Sequence, residues 1–337
     1  MFDRRSIPTP FPVGDVNTYL AGRTIVDPGP DSDEAWDEVR SFLSVHDLEP
    51  GDIEQVLLTH SHPDHFGLAK RFRDRGATVA ASPPAAAVVE DFGARLDAEA
   101  AFFRDLFPAH GMDADAAATI TDLSSAYRSY APDCVVDRRL TDGDTIEVGP
   151  ATLSVQQVSG HAAGELILSV ESASRGGVGA PIGDGGDRAP EAAAGTTAIV
   201  GDHVLEHITP NPLLRPPVDD GVDRPQPLLE FNASLLRLRD RGFDRLLPGH
   251  GGIIDEPAER IAEVLAAHED RTENVASILD EGGEATAHEV MEGLFGELSL
   301  ADQYTGMSEA IGHLDVLVDR GRARRVDGAD RITYEPA

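Results

Sequence analysis

A chain of 337 residues is long enough for one large domain and a smaller one, and a hydrophobic content of 41% supports a packed core. Sixty acidic residues against 28 basic ones give a net charge of −32, and Lys70 is the sole lysine. Such a surface reads as an adaptation to molar salt, a halophilic trait, with an ordinary acidic protein as the plainer alternative. Its charge disfavours nucleic acid in dilute buffer, an exclusion that weakens where the Debye length falls to about 3 Å.

The N-terminus, Met1-Phe2-Asp3-Arg4-Arg5-Ser6, has no apolar signal region, and no run of about 18 apolar residues follows, so a cytoplasmic protein with no membrane partner is expected. Residues 5–27 read as two or three strands, clearest at Asn17–Leu20 and Thr24–Asp27, closed by an Asp27-Pro28-Gly29-Pro30 turn. Asp31–Val45 puts Trp36, Val39, Phe42 and Leu43 on one face of an amphipathic helix. Ile53–Leu58 reads as a buried strand and His65–Arg75 as a helix. Between them, Thr59-His60-Ser61-His62-Pro63-Asp64-His65 packs four potential metal ligands into six residues, in the pattern H-x-H-x-D-H. A strand-to-helix turn lets such side chains converge without interrupting regular structure. Imidazole with carboxylate suits zinc, and also iron or manganese. Alternation puts His60 and His62 on one side of the turn, leaving Asp64 and His65 to face a second ion.

Ala77–Ala81 reads as a strand, with helix from Pro83 onward. Residues 92–131 are an Ala-rich helical insertion carrying Phe102, Phe103, Leu106, Phe107, Met112 and Tyr127. It reads either as a lid beside the metal site or as surface helices closing on the core through their aromatic face. His110 within it reads as a helix-terminal residue. The single cysteine, Cys134, excludes an intramolecular disulfide and reads as a buried thiol. Three later strands each end in a potential ligand: Ala151–Val158 before His161, the strand at 196–200 before Asp202, and Leu246-Leu247 before His250. Residues 172–195, rich in Gly, Ala and Ser, read as a flexible loop without chemistry.

In this order the motifs resemble the metallo-β-lactamase superfamily over about 250 residues. The resemblance implies an α/β fold, a four-layer αββα sandwich over residues 1–257. It implies a first metal site of His60, His62 and His161, a second of Asp64, His65 and His250, and Asp202 bridging the two. Asp27 would buttress the metal loop from behind, or is a plain turn-capping residue. His203 would donate to a substrate oxyanion or orient Asp202, or is an ordinary loop histidine; His207 has a weaker claim.

Past Pro257 the pattern changes. Glu259–Leu279, Thr286–Phe295 and Gly306–Asp319 read as helices, and Gly321–Tyr334 as a β-hairpin turning near Asp327-Gly328. This element order, over residues 258–337, resembles the winged-helix-like C-terminal extension of the β-lactamase-like endoribonucleases. Arg322, Arg324 and Arg325, in the densest basic cluster of the chain, would contact nucleic-acid phosphate or pair with acidic neighbours such as Asp315 and Asp319.

The implied mechanism uses two divalent ions, zinc first and iron or manganese as alternatives, to hold a bridging hydroxide that attacks the substrate, with Asp64 orienting it. His62 stands where flavo-diiron oxygen reductases of this fold carry Glu, and Asp202 where many true β-lactamases carry Cys, so neither activity is expected. Two readings follow. The first is a hydrolase of a small-molecule ester or thioester, in the manner of glyoxalase II but without that family's basic glutathione-binding tail. The alternative is an RNA-processing phosphodiesterase, with RNA as partner of the C-terminal module. A homodimer is compatible with either.

Overall fold

The computed structural model describes residues 2–149, 151–171, 196–217 and 223–337. The Gly/Ala-rich segment 172–195 lies outside the described residues.

Strands β1 (Asp3–Ile7), β2 (Val16–Ala21) and β3 (Thr24–Val26) run antiparallel and are followed by helix α1 (Asp33–Val45), capped by the Ser32 side chain. Strand β4 (Gln55–Leu57) lies parallel to β3. The helix expected over His65–Arg75 is two short ones, α2 (Pro63–Phe66) and α3 (Ala69–Arg73). The break has a local cause. Leu68 N–H donates to the Gly29 carbonyl at 2.9 Å, outside the helical ladder. A Cβ on Gly67 would run into the backbone of Tyr130 and Asp31.

Next come β5 (Thr78–Ala81), α4 (Pro83–Glu90), α5 (Phe92–Ala109) and α6 (Ala114–Ser124), then a 3-10 turn at Ser125–Tyr130. β6 (Arg138–Arg139) completes a sheet ordered β1-β2-β3-β4-β5-β6. The second sheet contains β7 (Thr145–Val148), β8 (Ala151–Val158), β9 (Glu165–Glu171) and β10 (Thr196–Gly201). After α7 (Pro227–Arg241), β11 (Arg245–Pro248) closes it in the order β11-β10-β9-β8-β7. The chain ends with α8 (Pro257–Gly282), α9 (Ala287–Phe295), α10 (Leu300–Asp319) and the hairpin β12 (Ala323–Asp327)–β13 (Ile332–Pro336).

Strand alternation builds the layers. Tyr19, Val26, Leu57 and Ala80 of the first sheet meet Leu153, Leu166, Leu168, Ile199 and Leu247 of the second in one buried cluster. Their neighbours Leu20, Ile25, Val56 and Val79 face the other way, onto Trp36, Val39 and Phe42 of α1 and Phe72 of α3. Ile167, Ala198, Val200 and Leu246 likewise face Phe231, Leu235 and Leu238 of α7 and Ile261 and Val264 of α8. Helix, sheet, sheet and helix therefore stack as the expected αββα sandwich.

A fourth cluster joins the insertion to the C-terminal elements. Phe103 and Phe107 of α5, with Met112, pack on Val275 and Leu279 of α8, Val290 and Met291 of α9, Ile311 and Leu314 of α10, and Tyr334 of β13. The insertion's Phe102, Phe103 and Phe107 are thus packed on the C-terminal helices. α8 begins where the change of character was expected, yet it serves both the sandwich and this cluster, so packing is continuous through it. α9 opens with a capping box between Thr286 and Glu289. α10 starts at Leu300, earlier than the expected Gly306, behind the Ser299 cap.

Candidate metal centre

The seven expected ligands come from the C-terminal ends of four strands. His60, His62, Asp64 and His65 follow β4, His161 follows β8, Asp202 follows β10 and His250 follows β11. A register irregularity between Ile199 and Gly201 turns the chain where it delivers Asp202. Six of the seven are buried, and His62 alone is half-buried. Ligand atoms of His60, His62, His161 and Asp202 lie within 4.8 Å of one another, as do those of Asp64, His65 and His250. Asp202 reaches both groups: its carboxylate stands 3.4 Å from His65 Nε2, 3.4 Å from His250 Nε2 and 3.6 Å from His161 Nε2. His250 Nε2 is also 3.3 Å from Asp64.

The tautomers are set from outside the cluster. His65 Nδ1–H donates to Asp27 Oδ2 at 2.9 Å, and His250 Nδ1–H to the Asp15 carbonyl at 2.8 Å. His161 Nδ1–H donates to the Asn211 carbonyl at 3.1 Å. The Thr59 hydroxyl spends its proton on Asp27 at 2.6 Å, so its oxygen accepts from His60 Nδ1–H at 3.0 Å. Each ring therefore keeps its Nε2 lone pair for the interior. The Nε2 atoms of His60, His65 and His250, with Asp202 Oδ1, have no hydrogen-bond partner among the described residues. His62 Nδ1 stands 3.0 Å from His161 Nε2. Buried polar atoms left this way cost about 1–3 kcal/mol each, and convergence of several lone pairs on carboxylates is what a divalent cation offsets. Nitrogen and oxygen donors without thiolate fit zinc, iron or manganese. A Cβ on Gly249 would lie 2.7 Å from His65 Cε1 and against Asp202, so only glycine leaves this interior open.

The electrostatics have the same origin. Burial alone would strip His65 of its proton, but the carboxylates of Asp202, Asp64 and Asp27 hold its pKa well above the ordinary value. Burial also opposes the charge on His250, yet Asp202 and Asp64 push it up to about 9. Desolvation and the neighbouring rings hold His60 and His62 down, His62 to about 4. Burial would raise Asp202, and the neighbouring His65 and His250 drive it well below the carboxylate range instead. A cation bound there would take the place of these protons.

Asp27 also lies within ligand distance of His60 and His65. Its oxygens already accept from Thr59 N–H at 2.8 Å, the Thr59 hydroxyl and His65, so it buttresses the cluster rather than facing an ion. Its φ of 51° is left-handed, a cost of about 1–2 kcal/mol for a residue with a Cβ.

His203 is fully buried; Nδ1 pairs with Glu165 at 2.9 Å and the ring edge packs on Phe231. It adjoins Asp202 in the chain but presents no exposed atom to a substrate. His207 is mostly exposed, 3.3 Å from Glu206. Arg322 pairs with Glu273, Arg324 with Glu335 and Arg325 with Asp327, while Asp315, an expected partner of this cluster, holds Arg224 at 2.7 Å. Cys134 is buried, its thiol pushed up to about 11 by burial. His110 caps α5 at its C-terminus.

Sequence reasoning missed the supports. Thr59, Glu165 and Asn17 carry no motif of their own. Asn17 Nδ2 donates to the Pro248 and Gly251 carbonyls at 2.9 Å each, and the Tyr19 hydroxyl to Pro248 at 2.6 Å, so β2 carries the His250 turn. The one available signal was a charged Glu165 directly before the apolar run Leu166-Ile167-Leu168.

Known proteins agree with this architecture. The family model described as "Metallo-beta-lactamase superfamily" matches residues 11–174. The Bacillus subtilis protein named "Probable metallo-hydrolase YqjP" is 31% identical over 314 residues, 92% of this chain and 90% of its own length. The crystal structure of a metallo-beta-lactamase family protein from Thermus thermophilus is 26% identical with a TM-score of 0.75, covering 100% of this chain and 98% of that one. A beta-lactamase domain protein from Burkholderia ambifaria is 27% identical with a TM-score of 0.78, covering 99% and 92%. Both solved structures span the insertion and the C-terminal elements as well as the sandwich. On this whole-length similarity, the chain belongs to the metallo-beta-lactamase superfamily.

Proposed function

We propose that this protein is a metal-dependent hydrolase that holds two divalent ions, zinc foremost, and cleaves an ester or thioester of a small molecule. The observation that carries it is the convergence of unpartnered Nε2 atoms on the Asp202 and Asp64 carboxylates. His60, His62 and His161 would hold one ion, Asp64, His65 and His250 the other, with Asp202 between them. Bound there, such ions supply Lewis acidity and an acidified water. The protein's own part is orientation. Thr59, Asp27, Asp15 and Asn211 fix which ring nitrogen faces inward. Burial excludes bulk water from all but the half-buried His62 side, where a substrate would enter. The Bacillus subtilis relative's name, a metallo-hydrolase, supports the reaction class and leaves the substrate open.

The RNA reading has less support. The helix–helix–helix–hairpin order is present, but each candidate arginine is held by a carboxylate, and phosphate contact would have to break those pairs. The test sets a thioester panel and a structured RNA side by side in molar KCl, with metal content measured for wild type and Asp64→Ala. Thioester turnover and metal stoichiometry falling together in the variant is the expected result. RNA cleavage lost instead would make the protein a nuclease, and activity surviving Asp64→Ala would sink the dinuclear scheme.

A further inference from the structure

Two surface segments, each tied to a turn that bears candidate ligands, meet at an aromatic contact. Phe11, in the loop between β1 and β2, lies 5.1 Å from Tyr127 and 5.7 Å from Tyr130, ring centroid to centroid. Both segments are anchored to the metal-bearing turns. The β1–β2 loop ends at Asp15, whose carbonyl holds His250, and Val16 pairs with His250 as an isolated bridge. The loop is stiffened by Thr9, whose hydroxyl donates to the Gly14 carbonyl at 2.7 Å and accepts from Phe11 N–H at 3.2 Å. On the other side, the 3-10 turn Ser125–Tyr130 packs against α2, the helix of Asp64 and His65. The Tyr130 carbonyl accepts from Asp31 N–H at 2.7 Å, and Gly67 fits beneath it only because it lacks a Cβ. The ring cluster therefore bridges two segments, one anchored to α2 and the other to the His250 turn, the elements that carry the second group of candidate ligands.

The rings are not core. Tyr127 is 40% exposed, and Phe11 and Tyr130 are half-buried. The remaining members of the insertion's aromatic set, Phe102, Phe103 and Phe107, pack instead on the C-terminal helices. Exposed aromatic surface of this kind costs hydration free energy unless a ligand covers it. The only cation of the turn, Arg128, is engaged by Asp97 at 2.7 Å and by the Gly93 carbonyl at 3.0 Å. On the loop that holds His161 through Asn211, Ile208 is another exposed apolar side chain.

We propose that Phe11, Tyr127 and Tyr130 form a subsite for an uncharged apolar group of the substrate, the acyl or aryl portion of an ester or thioester. This rests on the hydrolase reading above and narrows it to substrates with a sizeable apolar arm. With the turn's one arginine already paired, the wall selects by surface burial rather than by charge.

The test compares octanoyl and acetyl esters of one alcohol on wild type, Tyr127→Ala, Phe11→Ala and Leu123→Ala. It also measures calorimetric binding of octanamide, which carries no carboxylate to compete for metal, to the metal-loaded protein. Tyr127 is exposed enough that its truncation leaves the fold alone. The expected result is a fall of about tenfold in the octanoyl-to-acetyl kcat/KM ratio for Tyr127→Ala and for Phe11→Ala, carried by KM, with a matching loss of octanamide affinity. Leu123→Ala, an exposed apolar truncation outside the cluster, should keep the ratio. A ratio unchanged in both aromatic variants while the esters are turned over overturns the subsite and leaves the hydrolase standing. Octanamide bound through Tyr127 with no ester hydrolysed upholds the subsite and sinks the hydrolase reading. Impaired RNA cleavage in Tyr127→Ala, with the acyl ratio flat, would make the rings a base-stacking platform and overturn the proposal.

Discussion

Replacing Asp27 by asparagine tests whether the metal site is set from behind. Asparagine keeps the volume and tolerates the left-handed φ of 51°, so the backbone has no reason to move. The carboxylate, however, accepts three hydrogen bonds: Thr59 N–H at 2.8 Å on Oδ1, and the Thr59 hydroxyl at 2.6 Å and His65 Nδ1–H at 2.9 Å on Oδ2. The amide offers one acceptor oxygen. With that oxygen toward Thr59 N–H, its NH2 faces His65 Nδ1, and the ring must accept there and carry its proton on Nε2. That is the atom 3.4 Å from Asp202 which a metal requires bare. With the amide reversed, two buried donors face each other, at about 1–3 kcal/mol. Either way the metal-competent tautomer is disfavoured, and a loss of 10–100-fold in metal affinity is expected, roughly 1.4–2.8 kcal/mol. The assay is zinc affinity by competition with a chromophoric chelator, wild type against Asp27→Asn, alongside melting of both metal-free proteins. Zinc affinity within about twofold of wild type, with the variant folded, would refute the argument.

Three further outcomes are expected. His110 is fully buried with neither ring nitrogen partnered among the described residues, and burial lowers its pKa to about 3. A histidine depressed on folding takes up its proton only in the unfolded chain as pH falls below 6.5, so stability drops on acidification, by roughly 2 kcal/mol at about pH 5. Phenylalanine in its place should remove that loss, and equal gains at about pH 5 and pH 7.5 in urea unfolding would contradict this. Phe107→Ala should cost about 3–5 kcal/mol and speed amide exchange in α9 and α10, since Phe107 lies in the cluster that ties insertion to C-terminal helices. Exchange confined to α5 would mean the cluster does not couple them. At a net charge of −32, the melting temperature should climb with KCl up to molar concentration; a flat response would remove the case for a salt-adapted surface.

The sequence alone singled out the candidate ligands, because metal chemistry restricts residue types and strand-to-helix turns restrict spacing. His60 to His65 is legible as a cluster within six residues, and His161, Asp202 and His250 follow as polar residues at the ends of apolar runs. The four layers were expected only from the family resemblance those motifs carry, because central strands such as Val16–Ala21 are buried along their whole length and do not announce which face meets which layer. What only tertiary structure decided were relations between distant residues of ordinary type. Helix α2 stops where Leu68 finds the Gly29 carbonyl, a bond that His65–Arg75 does not announce. The arginine cluster is committed to Glu273, Glu335 and Asp327, two of them far from it in the chain or across the hairpin. The insertion's phenylalanines choose the C-terminal helices while Tyr127 turns to Phe11, a sorting that periodicity cannot express. Local pattern fixes what a residue is able to do, and the long-range packing of buried surface fixes which partner it meets.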